Sequence, residues 1–315
     1  MNAEVLARTT AMASDVTIRA TRRNTVSDEE FGQAMADALE VFHEVERICT
    51  RFVATSDLMV LNEARDQWHV VPDVLYRAVE EAYGAHVLTD GRFDPRVHDT
   101  LVALGYSRSL HFDERDDVTT SNNVVSTPRA PWRLGQLPAR RALHLGGATI
   151  DLGGIGKGLA VRWASAKLDA VCDDFLVEAG GDCYCAGASP EGEPWRISVE
   201  DPLSGPFPVG VVQVRDRAVT TSSIRLRHWR ADGTPVHHLI DPRTLRPGGD
   251  GLSAVTVVGH DPAIAEVWSK ALFLEGATGI ALAASTREIA ALWIYEDGSL
   301  DASPTMEDYL IWRAP

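Results

Sequence analysis

Apolar and polar residues alternate along DVTIRA, residues 15–20, where Val16, Ile18 and Ala20 fall on one side of a repeat of two. That period belongs to a half-buried strand, so the chain is expected to open in a sheet. Ser27 then precedes Asp28, Glu29 and Glu30, an N-cap ahead of an acidic first turn, and Phe31, Met35, Leu39, Phe42, Val45 and Ile48 follow at helical spacing. The spacing predicts a long amphipathic helix over residues 28–49. Pro72 at a helix N1 position, ahead of Val74, Leu75, Ala78, Val79 and Ala82, predicts a second helix. Residues 107–141 hold Ser, Asn, Asp, Arg and Pro without a sustained period and are expected to form an exposed excursion.

From residue 142 the pattern becomes strand, glycine turn, helix (IGKGLAVRWASAKLDAV), and then a strand DFLVEAG that ends in GGD. Short β-rich runs follow at WRISVE, VGVVQV and HHLIDP, and then the apolar run LSAVTVVG. Asp261 and Pro262 cap a helix that carries AIAEVWSKALFLEG. No period of the length of a solenoid or propeller repeat occurs, which excludes those architectures.

Composition narrows the class of function. The 315 residues include 30 basic and 45 acidic side chains, a net charge of −15, which disfavours a nucleic-acid or anionic-membrane surface and suits a small-molecule enzyme. Cys49, Cys172, Cys183 and Cys185 show neither CxxC nor Cys/His ligand spacing. No apolar core of signal-peptide length and no uncharged stretch of membrane-spanning length is found, so a thiol-reduced, cytoplasmic protein is expected.

Three stretches carry candidate chemistry. DLGGIGKG, residues 151–158, offers bare backbone for close approach of a ligand, N–H groups at a helix start that suit phosphate, and the carboxylate of Asp151 beside the ammonium of Lys157. It matches neither the Rossmann nor the P-loop pattern, and a glycine turn made for tight packing explains it equally well. HHLIDPRTLRP, residues 237–247, places two histidines beside an Asp-Pro turn, either as a general base of near-neutral pKa or as the lining of a sheet face. RAVTTSSIR offers four consecutive hydroxyls that can contact phosphate oxygens or simply suit a strand.

Taken in order, DLGGIGKG, EAGGD, AVTTSS, HHLIDPRT and LSAVTVVGHDPAIAEVWSKALF resemble the ApbE family, the FAD:protein FMN transferases. AMASDVTI, TRFVATSDLMVLN and GRFDPRVHDTLVALGY resemble the N-terminal motifs of that family, so the likeness runs from about residue 12 to 295. The resemblance implies binding of FAD and, with Mg²⁺, transfer of its FMN half to a Thr or Ser hydroxyl of an acceptor protein with release of AMP. By position, Met12, Phe52, Arg92, Phe93, Asp94, Asp151, Lys157 and Ile240 fall where the family contacts FAD. Phe52 would stack on a flat ring and Lys157 would hold the pyrophosphate. His238 falls on the proposed base, and Thr220, Thr221 and Ser222 on the Thr-Ser segment; the catalytic set is therefore His238, Lys157 and Thr221.

The metal motif departs from the family. AEVWSKALF puts Glu266 where the family has Asp and Lys270 where it has Thr. An ammonium cannot ligate Mg²⁺, so Lys270 is expected to occupy or block the cation position, with Glu266 as its partner one helical turn away. The other arrangement turns Lys270 aside and leaves Gly154, Glu266 and Ser269 to hold Mg²⁺. Glu178 and Ser223 also depart from the Asn and Gly usual there. The expected fold is α+β, mixed sheets flanked by helices in one compact two-lobed domain over residues 12–310, with FAD in the cleft. Three activities remain open: FMN transfer, hydrolysis of FAD to FMN and AMP, and FAD binding or redox work without cleavage.

Overall fold

The computed structural model describes residues 4–108, 117–118 and 131–314. Its frame is an eight-stranded sheet of β1 (Glu4–Ala11), β2 (Ser14–Arg22), β3 (Cys172–Ala179), β4 (Asp182–Ala186), β5 (Arg217–Ser223), β6 (Leu252–Gly259), β7 (Ala290–Tyr295) and β8 (Leu300–Ala302). The strands lie side by side in chain order, each antiparallel to the next. Long segments leave this sheet between neighbouring strands and return to it, and the helices come from two of them.

Between β2 and β3 the chain forms α1 (Asp28–Cys49), α2 (Asp57–Glu63), α3 (Asp73–Leu88), α4 (His98–Ala103) and α5 (Gly156–Leu168). Between β6 and β7 it forms α6 (Pro262–Phe273) and α7 (Gly276–Thr286). Helix α1 forms where its spacing predicts, and Ser27 and Glu30 close a reciprocal capping box at its start. Pro72 precedes α3 as its cap residue, one position before the expected N1.

One face of the sheet is covered by helices. Phe31, Phe42 and Val45 of α1 and Val161 and Ala164 of α5 pack on Val16, Ile18 and Val177, while Leu272 and Phe273 of α6 pack on Val255, Val257 and Trp293. On the other face a three-stranded sheet, Trp195–Val199, Gly210–Val214 and Leu310–Arg313, packs through Trp195, Val212 and Val214 against Cys183, Val219 and Ile294. Strand β6 is therefore buried on both sides, which is why its apolar run shows no alternation.

The helical lobe has its own core, in which Leu58, Leu61, Leu75 and Val79 meet Ile150, Leu152 and Ile155 and then Leu159 of α5 with Ala263 and Val267 of α6. Helices α5 and α6 thus belong to both lobes. A smaller cluster joins Leu101, Tyr106, Trp229, Ala231, Val236 and Ile240.

Much of the expected excursion, residues 109–116 and 119–130, lies outside the described residues. The rest of it is built into the fold. Trp132 is buried in the helical lobe with its Nε1–H donating to the Leu145 carbonyl at 3.1 Å. Gly135–Leu137 pairs with Ala142–His144, and Asp117–Val118 pairs with His228–Ala231. Strands of two or three residues are too short to show a period, and a single tryptophan leaves none.

Where α5 crosses α6, a Cβ on Gly158 would lie 2.5 Å from the Pro262 carbonyl oxygen and 2.6 Å from the Ala263 Cα. Both obstacles are backbone, so neither can rotate away. Gly158→Ala should separate the helices and cost about 2 kcal/mol or more in thermal or denaturant unfolding; unchanged stability would show that this crossing is loose.

Candidate functional site

The site assembles around the start of α5, where a loop brings Asp151 out of the helical lobe. The Asp151 N–H donates to the Pro95 carbonyl at 2.7 Å, and its carboxylate accepts the Gly153 N–H at 2.7 Å and meets Arg51 Nε at 2.9 Å. Arg51 is itself buried, with its guanidinium carbon 4.3 Å from the Phe52 ring centre and 4.1 Å from that of Tyr106. A second nitrogen donates to the Tyr106 carbonyl, and Nη2 is buried without a hydrogen-bond partner among the described residues. Phe52 is 40% exposed, an aromatic face held beside the Arg51–Asp151 pair and free to stack on a planar ligand. Sequence reading singled out Asp151 and Phe52 and missed Arg51, whose only signal was its place next to Phe52.

Lys157, in the first turn of α5, donates to Asp182 Oδ2, and Asp182 Oδ1 accepts the Thr221 N–H at 2.9 Å. Asp182 is 1% exposed, so it orients the lysine while joining α5, β4 and β5. It is the last residue of EAGGD, a motif legible in the sequence whose carboxylate was not singled out.

The Thr221 hydroxyl does not belong to this cluster. Along β5, Ala218 packs in the core beneath α6 and Val219 in the core of the opposite face, and Thr221 shares a face with Val219. Its Oγ1 pairs with Thr256 Oγ1 at 2.9 Å. Ser222 takes the helix side and hydrogen-bonds Ser269 Oγ of α6 at 2.7 Å. Thr221 therefore offers the site its backbone N–H, and the catalytic role expected of its side chain meets this geometry as an obstacle.

Helix α6 supplies Glu266, Ser269 and Lys270. Glu266 is 1% exposed; its Oε2 accepts the Gly158 N–H at 2.7 Å and its Oε1 lies 3.0 Å from Lys270 Nζ. It is a cap for α5 supplied from another helix, where a carboxylate is favoured by the aligned N–H groups. Ser269 Oγ donates to the Glu266 carbonyl at 2.9 Å. Cδ and Cε of Lys270 pass 3.5 and 3.7 Å from the place a Cβ would take on Gly154, and Phe93 Cε2 comes within 2.9 Å of it. Met12, at φ 56°, donates its N–H to Glu46 Oε1 at 2.9 Å, and its Cε comes within 3.3 Å of the corresponding place on Gly156.

The Lys270 side chain therefore lies along Gly154 and ends on Glu266, while the Ser269 hydroxyl is taken up by Ser222 and the Glu266 carbonyl. Gly154, Glu266 and Ser269 do not fit Mg²⁺. A ligating carboxylate oxygen would be shared with the ammonium, and at about 4 Å each unit of like charge costs about 4 kcal/mol even at an effective dielectric near 20. No cluster of three or more His, Cys, Asp or Glu able to hold a metal occurs among the described residues.

His238 is partly buried, with Nδ1 3.2 Å from the Arg227 carbonyl. A carbonyl only accepts, so Nδ1 carries the proton and the lone pair is on Nε2. Burial first, then the charges of Arg227, His237 and Lys270, hold its pKa well below 6.5 and keep the ring neutral. Burial lowers His237 likewise, to about 4.

Arg92 and Asp94 flank Phe93 and are held by protein partners, Arg92 by Glu275 at 2.6 Å and Asp94 by Arg96 at 2.8 Å. Ile240 is buried in the cluster that contains Tyr106, behind Phe52. The cysteines are free, and burial pushes the Cys49 thiol up to about 12 and that of Cys172 to about 11, which excludes them as thiolate nucleophiles at neutral pH. No helix among the described residues is long and apolar enough to cross a membrane.

A model of the ApbE family matches residues 12–293. The chain is 26% identical over 256 residues to the FAD:protein FMN transferase of Chlamydia trachomatis, covering 78% of this chain and 77% of that one. It is 27% identical over 296 residues to that of Treponema pallidum, covering 89% and 82%. Among solved structures, the flavin transferase ApbE from Vibrio cholerae superposes with a TM-score of 0.82 over 98% of this chain and 100% of that one at 23% identity, a likeness of fold.

Two outcomes follow from the buried charges. Asp182→Ala strands the Lys157 ammonium and the Thr221 N–H and should cost about 3 kcal/mol in denaturant unfolding. For His237, whose folded pKa of about 4 lies below the ordinary 6.5, the unfolded chain binds more protons between those values. Its contribution is complete above pH 6.5 and is lost as pH falls toward about 4, so His237→Gln should flatten the stability-versus-pH curve across that window; an unaltered slope would place the titration elsewhere.

Proposed function

This chain belongs to the ApbE family, and on that premise we propose that it transfers the FMN half of FAD to a Ser or Thr hydroxyl of an acceptor protein, releasing AMP. The observation that carries the reading is His238, a neutral imidazole whose Nδ1–H is fixed by the Arg227 carbonyl and whose Nε2 is left as the base. In this reading Phe52 stacks on a ring of FAD, Met12, Arg92, Phe93, Asp94, Asp151 and Ile240 line or brace the pocket, and Lys157 faces the pyrophosphate at the start of α5.

The reaction balances with these groups. The acceptor hydroxyl oxygen attacks the phosphorus on the flavin side, its proton passes to His238 Nε2, and the bond from that phosphorus to the bridging oxygen breaks. AMP leaves with the bridging oxygen, and a phosphoester joins FMN to the acceptor. Lys157 offsets charge that builds on the phosphoryl oxygens, and Asp182 keeps it in place. Water in place of the hydroxyl would give FMN and AMP from the same geometry. Four free thiols support a reducing, cytoplasmic setting, and the net charge of −15 supports a protein acceptor over nucleic acid or an anionic membrane.

The test is chromatography of FAD, FMN and AMP with a Thr-containing acceptor peptide. AMP and flavinylated peptide should form together, and His238→Asn should lower AMP formation by about 10²–10⁴-fold while FAD still binds. Because the neutral ring is the base and its pKa is depressed, the rate should hold as pH falls through 6.5 and decline only well below it. FAD bound and recovered intact would overturn the reading; FMN and AMP without labelled peptide would reassign it to hydrolysis.

A further inference from the structure

We propose that the Lys270 ammonium is the resident cation of this site, so that FAD binds and is cleaved without a divalent metal; the cleavage half of this rests on the reading above. Three observations converge on it. The side chain of Lys270 runs along Gly154, with Cδ and Cε 3.5 and 3.7 Å from where its Cβ would be, which sets the ammonium beside the loop that enters α5. Its side chain is 14% exposed, mostly covered yet not sealed from solvent. Its hydrogen bond to Glu266 Oε1 uses one of three N–H bonds, and the other two suit phosphoryl oxygens.

Glu266 fixes the geometry. Its other oxygen is held by the Gly158 N–H of α5, so the carboxylate cannot swing toward a metal without uncapping that helix. The ammonium also lies close enough to His238 to depress the protonated form of the ring. One lysine thus answers two needs of phosphoryl transfer, a positive charge near the phosphates and a neutral base. Lys157 cannot fill this place, because its ammonium is held on the β4 side of α5 by Asp182.

The experiment is titration of FAD by flavin fluorescence, with AMP release followed in the same preparations, once in EDTA and once in MgCl₂. The wild-type Kd and AMP rate should differ by less than about twofold between the two conditions. Glu266→Gln/Lys270→Met removes the charge without stranding a buried carboxylate and keeps an acceptor for the Gly158 N–H. It should bind FAD about tenfold or more weakly in EDTA, whereas Lys270→Arg should stay within a few-fold of wild type. Far-UV circular dichroism checks that the variants are folded.

A wild-type Kd or AMP rate that worsens about tenfold in EDTA and recovers with Mg²⁺ overturns the proposal, as does a neutral variant that binds like wild type in EDTA. Absence of AMP with FAD bound independently of metal defeats the transferase reading alone, since the binding comparison still decides what Lys270 does. Absence of FAD binding in both conditions overturns both.

Discussion

Glu266 is the carboxylate on which the site turns. It lies in the interior, 1% exposed, and a charge there survives only with partners on both oxygens. One partner is the Gly158 N–H of α5 and the other is the Lys270 ammonium of its own helix. The first bond ties together two helices that each serve the cores of both lobes. The second holds a lysine beside Gly154. Close approach of the helices at Gly158, the capping of α5 and the position of Lys270 are therefore one arrangement.

The same economy recurs around the start of α5. Lys157 with Asp182 and Arg51 with Asp151 are also buried pairs, each with a further hydrogen bond from the carboxylate to a backbone N–H, that of Thr221 or Gly153. Such pairs are poor sources of stability because desolvation offsets their attraction. What they do here is fix where the cations lie, beside the start of α5. His238 completes the set as the group kept neutral, held so by burial and by two of the surrounding cations.

The sheet explains how these residues meet. Its strands run in chain order and antiparallel, so the helical segment inserted between β2 and β3 must start and finish at the same end of the sheet, and α5 delivers the glycine loop to β4 and β5. The segment between β6 and β7 brings α6 to the same place from the other direction. Strand β5 then divides its own hydroxyls, Ser222 toward α6 and Thr221 away from it.

Local signals carried much of this. The capping box and apolar spacing of α1, the Asp261 cap of α6 and the continuous run of β6 are properties of short windows, and each element forms where its window predicts. The motifs that resemble the ApbE family likewise named Lys157, His238, Glu266 and Lys270, because they are contiguous strings. What only the tertiary structure decided was partnership: Asp182 with Lys157 across 25 positions, Gly158 with Glu266 across 108, Arg51 with Asp151, and the face of β5 that Thr221 takes. A periodic pattern reports which side of an element is buried, but not which remote group lies against it. That depends on how the helices cross over the sheet, and here the crossing is set by a missing side chain at Gly158 and a carboxylate reaching across it.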